Sequence, residues 1–351
     1  MKKVKIGFVG VGIMGQMAHL RNYVNIEDCE VTALAEMRPR TAELVADRYG
    51  IANVYNDHKA MLEAEELDGV VACQYFSTHK YILPELYPHV KYLFTEKPVA
   101  ALPKTGQMLA QKARDAGCTH MVGYHKRYDP ATIYAKEIIE QWRGSGELGK
   151  MKYIRLTMPF GDWVAHGLDG FLETGEARPD GPRETPDNMD EKEAEYYMPF
   201  VNGYCHQINL MRHLLGESYS VTYVDKSNVL LAIESESGIS GVIEISPYQT
   251  TVEWQESALI CFEKGYIRLD LPAPLAVNRA GRIEVFRDSG PEIMPEKTVP
   301  SLPFVHAMRQ QAEAFVKVCK GQVEPLTDVT EAVEDLKNVY QWFQLRQKIV
   351  R

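Results

Sequence analysis

The run Val4-Lys5-Ile6-Gly7-Phe8-Val9-Gly10-Val11-Gly12-Ile13-Met14-Gly15 constrains this chain more than any other feature. An apolar strand breaks into a glycine loop, and the residues beyond it read on as a helix. Gly10 permits the tight strand-to-helix turn, Gly12 leaves no Cβ between the backbone and a pyrophosphate, and Gly15 lets helix and strand pack closely. Such a helix aims free N–H groups and its positive dipole end at phosphates. Gly10, Gly12, Ile13, Met14 and Gly15 are therefore predicted dinucleotide contacts. The next strand, Val31–Ala35, ends at Glu36, 21 residues past Gly15, where an acidic side chain grips ribose hydroxyls. A carboxylate there repels a 2′-phosphate, which predicts NAD over NADP. Arg38, a further candidate cofactor contact, and Arg40 follow directly, and a guanidinium at such a position could instead pair with a phosphate.

At 351 residues the chain exceeds one ordinary core, so two domains are expected. Its 45% hydrophobic and 25% charged residues are those of a soluble globular protein. No apolar run approaches a membrane span, and Met1-Lys2-Lys3 leads into a strand without a signal-peptide pattern. The six cysteines contain no C-x-x-C pair, so a reduced, cytoplasmic protein is expected. Much of the net charge of −9 is local: residues 169–195 hold ten acidic and three basic side chains. The near-neutral remainder offers no basic patch, which argues against nucleic acid and anionic membranes as partners.

The first third alternates strands with helices. Strands at Asp68–Cys73, Tyr92–Thr95 and Thr119–Gly123 and helices at Arg40–Tyr49, Tyr81–Leu86 and Lys104–Ala116 are predicted. Apolar, unalternating strands in βαβ units imply a parallel sheet covered on both faces. After the helix Pro130–Arg143 the strands lengthen and partly alternate: Met151–Met158, Ser220–Val224, Val229–Glu234, Gly241–Ser246, Thr251–Glu263 and Tyr266–Leu271. Hairpin-like links argue for antiparallel pairing. The expected architecture is thus α/β: a Rossmann dinucleotide-binding domain over 1–125, then an α/β domain over 126–351 with a large, mostly antiparallel open sheet. Two late helices, Phe304–Lys320 and Thr327–Arg346, close the chain, the last packing back toward the first domain.

Three blocks carry the chemistry. Glu96-Lys97-Pro98 follows a strand at the carboxyl edge of the parallel sheet, where open α/β sheets bind ligands. Pro98 fixes the turn and so aims Lys97. The second block is Gly123-Tyr124-His125-Lys126-Arg127-Tyr128-Asp129-Pro130, and the third is Asn202-Gly203-Tyr204-Cys205-His206-Gln207-Ile208-Asn209, read as opening a helix. In this order, with the glycine loop, Gly146-Glu147-Leu148-Gly149-Lys150 and Phe262-Glu263-Lys264-Gly265-Tyr266-Ile267, the chain resembles the Gfo/Idh/MocA oxidoreductases over nearly its whole length.

That resemblance implies an NAD-dependent dehydrogenase acting on a secondary hydroxyl of a sugar, cyclitol or sugar derivative, or on the matching ketone. It implies Lys97 beside the nicotinamide and the substrate hydroxyl, with His206 as acid/base. Chemistry agrees: hydride leaves a carbinol carbon only as its O–H proton leaves. A histidine has a suitable pKa, and a lysine cation stabilises the alkoxide. Tyr124, Arg127, Asn202 and Asn209 are the further candidate substrate contacts in these blocks, and Gln74, His79 and Glu96 the further cofactor contacts. Where many members of the family carry Asp four residues before the histidine, this chain has Asn202, and their His-x-x-Asp is here His206-Gln207-Ile208-Asn209. Amides orient a hydroxyl but accept no proton, so a three-residue relay is not expected. The family's Thr-Pro-Asn is replaced by Gln74-Tyr75-Phe76.

The acidic segment 169–195 is long for a connection, with Gly175, Pro179, Gly181, Pro182 and Pro186 in its middle. It is expected to be a lid or a subunit-contact arm rather than disordered. Trp163 and His166, just before it, are candidate sugar contacts. No metal site is expected, because no ligand set completes the pair His206 and His213. Alternating strands such as Val242–Ile245 and Ala258–Phe262 predict an apolar sheet face used in a homodimer or homotetramer. Two other functions are alternatives: glycoside cleavage through transient oxidation of the sugar, which needs the same residues, and a non-catalytic dinucleotide-binding regulator on the same fold, which need not keep Lys97 and His206.

Overall fold

The structure, a computed structural model, describes residues 2–178 and 180–350; Met1, Arg351 and the acidic segment's Pro179 lie outside the described residues. The chain divides into two compact units, one of residues 1–124, 168–202 and 308–336, the other of 125–167, 203–307 and 337–351. Both are discontinuous in sequence. The acidic segment and much of the late helices therefore group with the first unit, whereas a contiguous division at residue 125 assigns them to the second.

In the first unit, strands β1 (Val4–Val9), β2 (Cys29–Ala35), β3 (Asn53–Tyr55), β4 (Gly69–Ala72), β5 (Tyr92–Glu96) and β6 (Thr119–Gly123) form a sheet in the order β3-β2-β1-β4-β5-β6. Its pairings are all parallel. This is the doubly wound dinucleotide-binding order, and the direction of winding reverses between β1 and β4. A crevice thus opens at the carboxyl ends of those two strands. Ile6, Phe8, Val70, Val71, Leu93 and Phe94 are fully buried, which is why these strands do not alternate.

The helices of this unit are α1 (Arg21–Tyr23), continuing a π-helical run Met14–Leu20, then α2 (Pro39–Tyr49), α3 (His58–Ala64), α4 (His79–Leu86) and α5 (Pro103–Asp115). The short β3 and α3 were not expected; α3 is capped by Asp57, whose carboxylate accepts from the amides of Lys59 and Ala60. Phe315 meets Tyr23 and Phe94 edge to face at 6.4 and 5.7 Å. Such pairs add about 0.5–1.5 kcal/mol each beyond burial.

The second unit holds α6 (Pro130–Ser145) and strands β7 (Met151–Phe160), β8 (Tyr219–Val224), β9 (Leu230–Ser235), β10 (Ser240–Gln249), β11 (Glu256–Phe262), β12 (Gly265–Leu271), β13 (Arg282–Arg287) and β14 (Glu296–Thr298). They form one sheet in the order β14-β13-β12-β11-β7-β10-β9-β8. It is mostly antiparallel, as expected, with β7 and β10 running parallel. Alternation is clear in β11: Ala258, Ile260 and Phe262 are buried, and Ser257, Leu259 and Cys261 lie half-exposed on the other face. Trp142 of α6 meets the Phe262 ring at 5.1 Å, nearly perpendicular.

Two expectations are corrected. The strand expected from Thr251 begins only at Glu256; the chain turns first, the Thr250 amide donating to the Phe160 carbonyl. The helix α7 spans Glu191–Leu215, so Asn202 lies in its interior rather than at its start. The Glu193 amide donates to the Asp190 carboxylate and the Asp190 amide to that of Glu193, a reciprocal cap that fixes this helix start. Helices α8 (Ala307–Cys319) and α9 (Val329–Val350) end the described chain. No helix among the described residues is long and apolar enough to cross a membrane.

Candidate active site

The glycine loop closes β1 as its sequence requires. Gly10 has φ +85°, a conformation side chains rarely adopt, and a Cβ on Gly15 would lie 2.6 Å from the Gly10 carbonyl oxygen. On Gly12 a Cβ would meet no protein atom within 4 Å, which leaves an open cradle beside the loop. Ile13 and Met14 open the π-helical run and are half-buried. The Gln74 amide, just past β4, donates to the Val9 carbonyl at 3.0 Å and so ties the two strand ends at the switch point.

Glu36 stands at the end of β2, 5% exposed, and accepts from the Val11 amide at 3.0 Å. Arg38 grips the same carboxylate through Nε and Nη2, each at 2.9 Å. Burial alone pushes the Glu36 carboxyl up; the Arg38 and Val11 hydrogen bonds outweigh it and hold the group below its ordinary value. An open cradle at Gly12 and an ionised carboxylate at the end of the second strand fit a dinucleotide.

At the end of β5, Glu96 is buried. His19 Nε2 donates to its carboxylate at 2.6 Å, and the Lys97 amide at 3.2 Å. Burial raises this carboxyl, but the His19 hydrogen bond and the charges of His19 and Lys97 prevail and keep it ionised. Glu96 thereby anchors the backbone that presents Lys97. The Lys97 ammonium donates to the Asn202 carbonyl at 2.7 Å, with the Asn202 side-chain oxygen at 3.4 Å. His79 is fully buried with Nδ1 on the Val99 carbonyl at 3.0 Å, and burial pushes its pKa down to about 4. Its ring is neutral at physiological pH. Tyr124, which ends the first stretch of this unit, is 1% exposed.

In the second unit, His206 is half-buried on α7 and meets the His125 ring edge to face at 4.7 Å. Arg127 and Asn209, both expected to face substrate, are buried and joined by a 2.7 Å hydrogen bond from Arg127 Nε to Asn209 Oδ1. That pair orients α7 against the segment before α6. Trp163 is 41% exposed, and His166 is exposed with φ 60°. Sequence reasoning missed the neighbouring charge cluster. Lys126 ion-pairs with Glu256, which also accepts from Gln207 Nε2 at 2.8 Å and Trp254 Nε1 at 3.0 Å. The Lys126 ammonium also lies 5.5 Å from the centre of the Trp254 ring.

The acidic segment is tied to the Rossmann unit at several points that no local sequence signal announces. Gln16 and the Leu172 backbone exchange two hydrogen bonds, and Arg48 donates to the Gly170 carbonyl. Glu176 accepts from the amides of Arg40 and Thr41 and from both threonine hydroxyls, Thr41 and Thr174. Burial raises the Glu176 carboxyl, yet these donors hold it down to about 2. Further on, Glu184 is buried and accepts from the Ala101 amide at 2.9 Å and the Thr105 hydroxyl.

Comparison with known proteins agrees with this geometry. Residues 4–124 match the Gfo/Idh/MocA family, described as an oxidoreductase family with an NAD-binding Rossmann fold. The chain is 27% identical to the Bacillus subtilis oxidoreductase YrbE over 157 residues, 44% of each chain. It is 21% identical to the myo-inositol 2-dehydrogenase of Thermotoga maritima over 241 residues, 69% of this chain and 63% of that one. The chain thus spans less than two thirds of the length of these two relatives. The scyllo-inositol dehydrogenase structure from Lactobacillus casei shares the fold with TM-score 0.69 at 16% identity, over 99% of this chain and 97% of that one.

Proposed function

We propose, from the match of residues 4–124 to the Gfo/Idh/MocA oxidoreductase family, that this chain is an NAD-dependent dehydrogenase of a cyclitol or sugar. The oxidised group is a secondary hydroxyl, and the reverse reaction reduces the matching ketone. The observation that carries this reading is Lys97, presented at the carboxyl end of β5 by a buried, ionised Glu96 and held 2.7 Å from the Asn202 carbonyl. Inositol dehydrogenases among the relatives support the substrate class.

A bound NAD supplies the hydride acceptor. Gly12 leaves room for its phosphates and Glu36 takes its adenosine ribose hydroxyls. The Lys97 ammonium stabilises negative charge developing on the substrate oxygen, and His206 accepts the hydroxyl proton. Asn202 orients the hydroxyl without titrating. Arg127 and Asn209 act on substrate through the position of α7, with Trp163 and His166 as outer sugar contacts. The half-exposed face of the second sheet, with Leu259 and Tyr266, supports a homodimer or homotetramer. A cytoplasmic location is part of this proposal, in keeping with six cysteines scattered without a C-x-x-C pair.

The direct test is reduction of NAD with a panel of inositols, hexoses and sugar acids. Turnover of at least one class is expected. An inert panel, or aglycone released from a glycoside without net NADH, would sink the assignment.

A further inference from the structure

The adenosine end of the dinucleotide site carries a second carboxylate, and this inference rests on the NAD reading above. Helix α2 starts immediately beyond Glu36, and a helix start offers unpaired N–H groups to an anion. Here the anion is part of the chain. Glu176 spans the Arg40 amide at 3.1 Å and the Thr41 amide at 2.7 Å, one carboxylate oxygen on each. The Thr41 hydroxyl reaches the same group at 2.8 Å, and Thr41 is 1% exposed. Of the two guanidinium candidates at this corner, that of Arg38 is held by both oxygens of Glu36, and that of Arg40 is exposed. A ribose 2′-phosphate enters a Rossmann site at this corner, beside the acid that ends the second strand. It would find the amides, the hydroxyl and the Arg38 guanidinium already satisfied by carboxylates.

We propose that Glu176 is a specificity-determining residue for the cofactor: a resident anion that the acidic segment lays on the start of α2, excluding dinucleotides with a 2′-phosphate. It does so by repulsion and by occupying the donors a phosphate needs. NAD makes no demand on those donors, so Glu176 leaves its binding untouched. Two other features keep the carboxylate in place: Gln16 holds Leu172, and Thr174, whose hydroxyl also donates to Glu176, sits with its oxygen 2.7 Å from that of Thr41. Glu176 stays ionised throughout the neutral range, because its donors hold the carboxyl far below that range.

The test is direct titration of the purified protein with NAD, NADP, ADP and adenosine 2′,5′-bisphosphate, followed by calorimetry. Wild-type protein should bind NAD and ADP well, NADP at least tenfold more weakly than NAD, and adenosine 2′,5′-bisphosphate more weakly than ADP. Glu176→Ala should tighten NADP and the bisphosphate by about tenfold or more, two vacated amides and a hydroxyl now meeting a phosphate, and leave NAD within about threefold. Glu176→Gln, which keeps the shape but not the charge, should move in the same direction by less. Glu173→Ala, a charge removed from an exposed position three residues earlier, should change nothing. An unchanged NADP-to-NAD ratio in both Glu176 variants would overturn the proposal, as would equal loss of both cofactors or a wild type that binds NADP as tightly as NAD. Binding of none of the four compounds by wild type would instead overturn the dehydrogenase reading on which the proposal rests.

Discussion

Lys97 donates through Nζ to the main-chain oxygen of Asn202 at 2.7 Å, and the side-chain oxygen of the same asparagine stands at 3.4 Å. Both acceptors are uncharged. Asn202→Asp should place a titrating carboxylate there and change the pH profile of kcat more than it changes KM. Lys97→Ala and His206→Ala should each lower kcat about a hundredfold or more with NAD affinity nearly intact. An Asn202→Asp enzyme with an unaltered pH profile but no substrate binding would mean that Asn202 binds substrate away from the lysine.

Glu36→Ala should act on the cofactor instead. It removes the acceptor of the Val11 amide and frees Arg38, so the Kd for NAD should rise about tenfold or more. Isothermal titration with NAD reads this directly, and unchanged affinity would remove Glu36 from the ribose site.

The Lys126–Glu256 pair predicts a stability effect. Its side chains are 5% and 2% exposed, and Gln207 and Trp254 complete the carboxylate's hydrogen bonds. Lys126→Met leaves Glu256 buried without its cation, which should cost about 3–5 kcal/mol. Pairing it with Glu256→Gln should recover part of that loss in urea denaturation, because the uncompensated charge is gone.

Asp129 predicts a pH dependence. Its carboxylate caps α6 through the Ala131 amide and also accepts from the Gly281 amide, yet burial outweighs these bonds and raises its pKa to about 6. The folded state therefore holds this proton more tightly than the unfolded chain does. The resulting stability is fully present below about pH 4 and is lost as the pH rises through about 6. Asp129→Asn keeps an acceptor and cannot titrate. Relative to wild type it should gain on the order of 2 to 3 kcal/mol between pH 4 and pH 7 in denaturation midpoints; parallel curves would contradict the shift.

The parts of this molecule that were legible in sequence are those whose cause is local. Gly10 and Gly15 announce the turn and the close approach that the structure contains, and Glu36 announces the strand end. The parallel strands declare themselves by unbroken apolar runs, and β11 by alternation. The start of α7 was legible too, in Asp190-x-x-Glu193, but the prolines and acids around it read as loop. What stayed hidden depends on distant partners. Glu176 finds Thr41 across 135 residues and Lys126 finds Glu256 across 130, and neither residue carries a mark of burial in its own neighbourhood.

The segment that matches the oxidoreductase family, residues 4–124, is only the first of three stretches in its compact unit. Phe315 fills the space between Tyr23 and Phe94, and Leu336 and Val333 crowd Gly106, all supplied from beyond residue 300. Severing the chain after residue 124 would therefore yield a Rossmann-fold fragment with an exposed apolar flank, prone to self-association. Transplanting this domain into another protein, or exchanging it by recombination, requires carrying residues 168–202 and 308–336 along with it.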